Sequence, residues 1–558
     1  MSEGEGEFHF SPRPNRAAEI KWRPWSEKSF EEARQLNRPI LLAISAVWCH
    51  WCHVMDETTY SHPGVIDLIN REYVPIRVDN DVRPDINQRY NMGGWPTTAF
   101  LTTSGDILTG ATYLPADQMA DALRRISSYY RTNQPEIANR ALEARKRAGS
   151  SVARSAGELG EGIVDSILAA VTNAYDPEYG GFGNAPKFPQ TEALLLLLEQ
   201  AQLRSDPNLR HMAVHSLERM AGGGTYDHVE GGFFRYSTTQ DWSVPHYEKM
   251  LEEHAGLVSA VALAGLDDAL DSTTGYLDTV LREKKTGLYA GSQDADEQYY
   301  SLGAAERPND NAPYVDRRVY TSWNAALGVA YLEAAVLRER PKLREQAAQL
   351  LDRLFKDRYR AAQGLTHTDA AGGQLGEQVW GLLAAVRAHQ AGLGDKWLPI
   401  ARDIAQHLED VYADHELGGY FDHAGERLGR LGDPIKPLGE NSIAATALCE
   451  LDVLLGEPDM PYAARARRVL ESIAGLPSQY GLMAAAFARA LDRLRKPLKV
   501  STGNAELVRA ARLAHPYAVI DPNGDSRAIV CVGTICLAPV STPAALGEAI
   551  QEASKARA

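Results

Sequence analysis

The sequence predicts a multidomain protein: an α/β domain, then a mainly α ring of helical hairpins, then a small mixed C-terminal appendage. Three observations carry this expectation. Over about residues 20–130, short β-rich runs alternate with helical stretches. From about 135 to 495 the pattern becomes Ala/Leu-rich and helical, with almost no strand signal. Within that stretch a glycine–aromatic motif recurs at roughly fifty to eighty residues, about one helical hairpin plus its loops. The expected boundaries are 8–135, 150–495 and 496–558. The chain has 558 residues, 44% of them hydrophobic and 23% charged, so neither disorder nor a fibrous repeat describes it. A net charge of -15 disfavours a nucleic-acid binder, which needs a basic face.

In the first region PILLAIS (39–45), YVPIRVD (73–79) and TTAFLTT (97–103) read as strands, with ILTGATYL as a hairpin partner after the turn at Ser104–Asp106. Helices are expected to start at Trp51, near His62 and at Arg83. The start of the sequence is acidic and polar and lacks a secretory pattern, and the apolar tract Ala193–Leu198 is far too short to span a bilayer. A cytoplasmic protein with no membrane partner is expected. Five cysteines exclude a disulfide scaffold, and in a reducing compartment a close pair is catalytic or metal-binding more often than structural.

That pair lies in SAVWCHWCHVMDE (45–57). Cys49 follows the first strand and Cys52 falls in the first turn of the next helix, where the helix dipole favours a thiolate. His50 and His53 are candidates to share a proton. Downstream, Gly93-Gly94-Trp95-Pro96-Thr97 places a proline, a candidate cis residue, just before a strand. Strand, CxxC, helix, strand, helix, X-Pro-Thr, strand is an order that resembles the thioredoxin-like domain, and Trp48 before Cys49 fits it too. One departure stands out: the acidic residue usual six positions before the first cysteine is Ala43. Zinc binding by the Cys/His cluster and inert burial are the alternatives to redox chemistry. No metal or cofactor is expected. Cys531 and Cys536 read either as two buried thiols flanking a turn or as a regulatory pair, and Cys449 as core.

A closed ring of hairpins accounts for the helical region better than an open solenoid, whose repeats are shorter. Its densest polar–aromatic string, 222–255, holds Tyr226, Asp227, His228, Arg235, Trp242, His246 and Glu248. Asp294 and Asp296, with Trp323 and Asn324, are of the same kind in later loops. Buried polar groups need partners, so these residues line either a wet pocket or a bracing network. In a pocket, aromatic faces with carboxylates and histidines suit carbohydrate, by carboxylate acid–base work or by proton abstraction.

The series SAVWCHWCHVMDE, MGGWPTTAFLT, GGFGNAPKFP, GGGTYDHVEGGFFRYS, WSVPHYEKML, DADE and TSWN resembles the spermatogenesis-associated protein 20 family, also called YyaL-like. The resemblance implies a thioredoxin-like domain joined to an (α/α)6 toroid like those of N-acylglucosamine 2-epimerases and six-hairpin glycosidases. Departures fall at Gln293, at Glu252-Glu253-His254, at Arg318 and at Ala325. The functional expectation is thiol–disulfide exchange with Cys49 attacking, Cys52 resolving, and Trp48, His50, His53, Trp95 and Pro96 in support. A protein thiol or disulfide is the expected partner, and a carbohydrate ligand of the toroid is the alternative.

Overall fold

The computed structural model describes residues 8–307, 312–369, 372–456 and 462–555. It divides into two compact units. The first holds Met1–Ala153 with Asp294–Asp296 and His423–Ile435; the second holds Arg154–Gln293, Glu297–Asp422 and Lys436–Ala558.

The first unit is the thioredoxin-like α/β domain. In chain order it comprises α1 (Glu27–Leu36), β1 (Ile40–Ser45), α2 (His50–Glu57), α3 (Pro63–Glu72) and β2 (Val74–Asp79). After these come α4 (Pro84–Tyr90), β3 (Thr97–Leu101), β4 (Ile107–Ala111) and α5 (Ala116–Thr132). The sheet order is β2-β1-β3-β4, with β1 parallel to β2 and antiparallel to β3. The run ILLAI (40–44) is apolar on every residue because β1 is covered on both faces, and Ser45 at its end is half-buried. Its period of two sends Leu41 and Ala43 to one core, with Met55, Ile69, Phe100 and Leu123. Ile40, Leu42 and Ile44 go to the other, with Phe30, Ile86 and Tyr90. Each such aliphatic side chain contributes about 1.5–3 kcal/mol of transfer free energy, so β1 is held from both sides. The Ser26 hydroxyl accepts from the Ser29 N–H to start α1, and Asn37 ends it in the left-handed region.

The second unit is mainly helical. Six inner helices form a closed ring among the described residues: α7 (Thr191–Arg204), α9 (Leu251–Ala264), α11 (Thr321–Leu337), α13 (Leu375–Gln390), α15 (Leu438–Leu455) and α17 (Ala485–Arg495). Each packs on the next, and α17 packs back on α7. Outer helices back them in pairs: α8 (Pro207–Gly222), α10 (Asp267–Tyr276), α12 (Pro341–Arg358), α14 (Trp397–His407) and α16 (Tyr462–Ile473), with α6 (Ile163–Ala174) behind α17. Inner helices are buried nearly all round, as in α11, where Ala325, Leu327, Ala330, Tyr331 and Ala334 are almost fully enclosed. Their alanines let neighbouring backbones approach. Outer helices such as α16 bury one stripe, Tyr462, Ala466, Val469, Leu470 and Ile473.

The unit ends in β5 (Leu498–Ser501), α18 (Ala505–Ala514), β6 (Ala518–Asp521), β7 (Ile529–Val532), β8 (Ile535–Cys536) and α19 (Pro543–Lys555). The sheet order is β6-β5-β7-β8. It has its own small core, in which Leu498, Val500, Ile520 and Val530 meet Leu507, Leu546 and Ile550. The segment packs on the ring: β6 lies on α13 and α15, α18 on α11, and the Ile520 N–H donates to Gln390 Oε1 at 3.0 Å.

Candidate functional site

Cys49 is the N-cap of α2: its backbone is extended (φ -87°, ψ 102°), and its Sγ accepts from the Cys52 N–H at 3.1 Å. A sulfur thus occupies the place where a serine or aspartate oxygen usually caps the start of a helix, beside the first-turn N–H groups and at the positive end of the dipole. Cys49 and Cys52 are bonded to each other, with Cα atoms 5.2 Å apart, and both are buried. The Trp95–Pro96 peptide is cis. Its loop is ordered by Asn91, whose Oδ1 accepts from the Gly93 and Gly94 N–H groups at 2.7 and 2.9 Å. Trp48 donates its indole N–H to Asp81 at 2.7 Å and meets Trp95 edge-on at 5.4 Å, while Trp95 donates to Asn87 at 3.2 Å. The indoles are therefore fixed, whereas Trp51, beside Cys52, is 47% exposed.

The position left by Ala43 has a specific answer. Ala43 pairs in register with Arg77 on β2, and Arg77 makes a bidentate ion pair with Asp56 of α2, both contacts 2.8 Å and both groups buried. Asp56 also accepts from the Ser11 N–H at 3.2 Å. A buried carboxylate is therefore present, supplied by the helix and committed to a guanidinium. His53 is buried, with Nδ1 3.4 Å from the Asp294 carboxylate. Burial, reinforced by His9, His50 and Arg77, pulls its pKa down to about 3, so it is neutral at physiological pH. His50 is half-buried and lies edge-on to Trp51 at 5.8 Å.

In the second unit most of the residues singled out from sequence build loops. The recurring glycine–aromatic motif is one structure repeated. Asp176, Asp227 and Asp414 each accept, at Oδ1, the N–H groups two and three residues on. Each carboxylate also meets a buried lysine, respectively Lys187, Lys249 and Lys436. The paired glycines that follow, 180–181, 231–232 and 418–419, all have positive φ. These bonds hold the Asp176 and Asp227 carboxyls down to about 2, against burial. Tyr226 is buried beside Phe233, and His228 lies at the surface with Nε2 against the Gly223 carbonyl. Arg235 is 3.4 Å from Glu253. Trp242 is fully buried and donates to the Tyr179 carbonyl at 3.0 Å. His246 stacks on Tyr236 at 4.8 Å and pairs through Nδ1 with the buried Glu248. Asn324 ties α11 to a loop, donating to the Tyr289 and Tyr320 carbonyls and accepting from the Tyr289 N–H. Asn441 does the same for Tyr420 and Pro437. Asp294 and a half-buried Asp296 belong to the first unit.

Within the ring of inner helices lies a cavity of about 380 Å³. Of the pocket residues expected from sequence, Trp323 lines it. Its other charged and aromatic lining includes residues the sequence reading missed as a site, among them Glu192, Glu252, Trp380, Glu440 and Arg489. Arg489 is held by Glu192 at 2.6 Å and by Glu199 at 2.8 Å. Burial, with Asp422 and Glu377 adding repulsion, pushes the Glu440 carboxyl above its ordinary value. Among the described residues that line it there is no histidine. Glu192, Glu252 and Glu440 fall in the first turns of inner helices, where a carboxylate is common, and Trp380 and Arg489 lie further inside helices; none of them carries a loop motif.

Residues 13–147 match the family model Thioredox_DsbH, described as a protein of unknown function, DUF255. The chain is 33% identical over 329 residues to spermatogenesis-associated protein 20 of Homo sapiens, covering 53% of this chain and 41% of that protein. It is 33% identical over 310 residues to the Rattus norvegicus protein of that name, covering 50% and 39%. The matches thus span about two fifths of the length of these curated relatives. Among solved structures, a cellobiose 2-epimerase from Spirochaeta thermophila aligns with a TM-score of 0.48 at 16% identity, over 63% of this chain and 96% of that one. A thioredoxin from Thermus thermophilus aligns with a TM-score of 0.19 at 21% identity, over 20% and 90%. The chain is thus similar to the Thioredox_DsbH family over residues 13–147 and to spermatogenesis-associated protein 20 over about half its length.

Proposed function

We propose that the protein is a thiol–disulfide oxidoreductase working through Cys49 and Cys52. The observation that carries this reading is the Cys52 N–H donating to Cys49 Sγ at the start of α2. The same donor that meets the bonded sulfur is placed to stabilise a thiolate. Lowering a thiol from pKa about 8.5 to about 7 takes about 2 kcal/mol and raises its thiolate fraction at pH 7 from about 3% to about half. In the reduced form, Cys49 thiolate attacks one sulfur of a partner disulfide, and the other partner sulfur leaves as a thiolate. Cys52 thiolate then attacks Cys49 Sγ, re-forming Cys49–Cys52 and releasing the second partner thiol. The partner gains two electrons and two protons, and the CxxC pair loses them. An extended partner peptide would lie along the Trp95–Pro96 loop. Cys52→Ser is expected to trap a mixed disulfide at Cys49. No trapped species, together with a pair that never re-oxidises across cytosolic potentials, would overturn the reading.

A second reading concerns the ring cavity, and the pairing of Trp323 and Trp380 with Glu252 and Glu440 favours it. Indole faces beside carboxylates suit a sugar, and Glu440, held protonated more readily than usual, is the residue to donate a proton to a glycosidic or hydroxyl oxygen. With no histidine on the wall, carboxylate acid–base work fits this cavity better than histidine-driven proton abstraction. Mono- and disaccharides that raise the melting temperature of the wild type but not of Trp323→Ala are the expected result. Equal shifts in both proteins would remove this reading.

A further inference from the structure

The C-terminal segment repeats the sheet of the first unit. There β1 runs parallel to β2 and antiparallel to β3, and β4 closes the hairpin; here β5 runs parallel to β6 and antiparallel to β7, and β8 closes the hairpin. The orders β2-β1-β3-β4 and β6-β5-β7-β8 are the same, with α18 as the crossover and α19 as the closing helix. No CxxC follows β5, but this sheet has a disulfide of its own, Cys531–Cys536, between register partners on β7 and β8.

We propose that Cys531–Cys536 is a second thiol–disulfide exchange site, which accepts an electron pair from a protein dithiol of the CxxC class. Position supports this. Cys536 is exposed, Cys531 is half-buried, and Ile535 between them is 70% exposed, so a partner reaches the bond without opening the core. Among the described residues β8 has no strand on its outer side, which leaves an edge for an extended partner segment. The bond is also redundant as a staple. The hairpin is closed next to it by the Leu537 N–H donating to the Val530 carbonyl at 2.9 Å. Below it, Ala528 and Val540 exchange two bonds, at 2.8 and 2.9 Å. β7 is further held by β5 and by the buried Ala528 and Val530. A disulfide closing so short a loop removes less chain entropy than one closing a long loop, and the bonds and core contacts just named remain without it, so reduction should leave the fold standing. Cys449 is the contrast: a free, buried thiol in α15 whose pKa burial pushes far up.

The step balances. A thiolate of the dithiol attacks Cys536 Sγ, Cys531 leaves as a thiolate and takes a proton, and a mixed disulfide forms. The second thiol of the donor then displaces Cys536, so the donor ends as a disulfide and the hairpin as two thiols.

The test uses full-length protein carrying Cys49→Ser and Cys52→Ser, so that it does not depend on the first pair. Oxidised protein is incubated with dithiothreitol alone, or with dithiothreitol plus catalytic reduced thioredoxin as the protein-dithiol probe. Thiols at 531 and 536 are counted by alkylation and mass spectrometry. Both should appear together, at least about tenfold faster with the protein dithiol, while the urea midpoint of the reduced protein stays where it was. A bond that opens only after unfolding, or no faster with the protein dithiol, would overturn the proposal. So would a large drop in the urea midpoint on reduction, matched by that of Cys531→Ser/Cys536→Ser, because the bond would then be a structural staple.

Discussion

The two disulfides occupy sheets of the same topology but different places in them. Cys49–Cys52 lies where β1 hands over to α2, with a backbone donor on the first sulfur and both residues buried. Cys531–Cys536 lies on the far hairpin, between two strands, at the surface. The first position sets a sulfur against a helix end; the second has access to solvent and no helix end beside it. What a CxxC needs from its fold is thus the strand-to-helix junction rather than the sheet, because only the junction supplies unpaired N–H groups.

The largest effect expected from this comparison is at Cys49. Cys49→Ser should lower exchange with a disulfide-bonded test protein by about a thousandfold or more, with little change in the urea midpoint. Cys531→Ser with Cys536→Ser should leave that exchange intact. If the hairpin variant abolished it instead, the roles assigned to the two positions would be reversed.

The next effect separates bracing from catalysis in the second unit. Asp227→Ala leaves the fully buried Lys249 ammonium with only the Gly231 carbonyl, while Arg307 loses one partner and keeps Glu230. An uncompensated buried charge costs about 3–5 kcal/mol, which urea unfolding will read. Loss of sugar binding at unchanged stability would mark the aspartate as functional.

Acid should act through the same loops. A carboxyl whose folded pKa is lower than its unfolded one contributes stability that is present above the unfolded value and lost as pH falls through the folded one. Asp176 and Asp227 are both held at about 2, below the ordinary 3.8, and Asp414 is lowered too. The second unit should therefore lose stability between about pH 4 and pH 2, by about 2 kcal/mol for Asp227 alone. Asp227→Asn should flatten that part of the curve.

In the first unit the starts of the strands and of helices α2 to α4 were legible to within a residue or two, whereas α1, α5 and the later segments Asp294–Asp296 and His423–Ile435 were not. The strands are short apolar runs bounded by turn signals, and CxxC and Pro96 sit at fixed places on them. The ring was legible as a period, since each Asp–Gly–Gly loop needs the same residues to fold. Its cavity was not, because polar density drew attention to the loops. Lys249 and Asp227 are polar for the sake of the loop itself, whereas Glu252 and Glu440 are carboxylates in the first turns of helices, where such residues are common and mark no site. Asp56 was hidden differently: Ala43 marked a missing carboxylate on the strand, and nothing in sequence says that a helix residue faces Arg77.

The smallest expected effect concerns His53, which adjoins the CxxC cysteines and looks from sequence like a proton acceptor. Its pKa of about 3 makes it neutral from pH 5 to pH 8, so it has no charge change to contribute there. The exchange rate of the wild type should follow a single ionisation, that of the Cys49 thiol, and His53→Gln should reproduce the same profile. An inflection between pH 5 and pH 8 that disappears in His53→Gln would show that the histidine titrates with the thiol. The N-terminal pair would then owe its thiolate to a histidine as well as to the helix end, and the contrast with the hairpin pair would rest on two features instead of one.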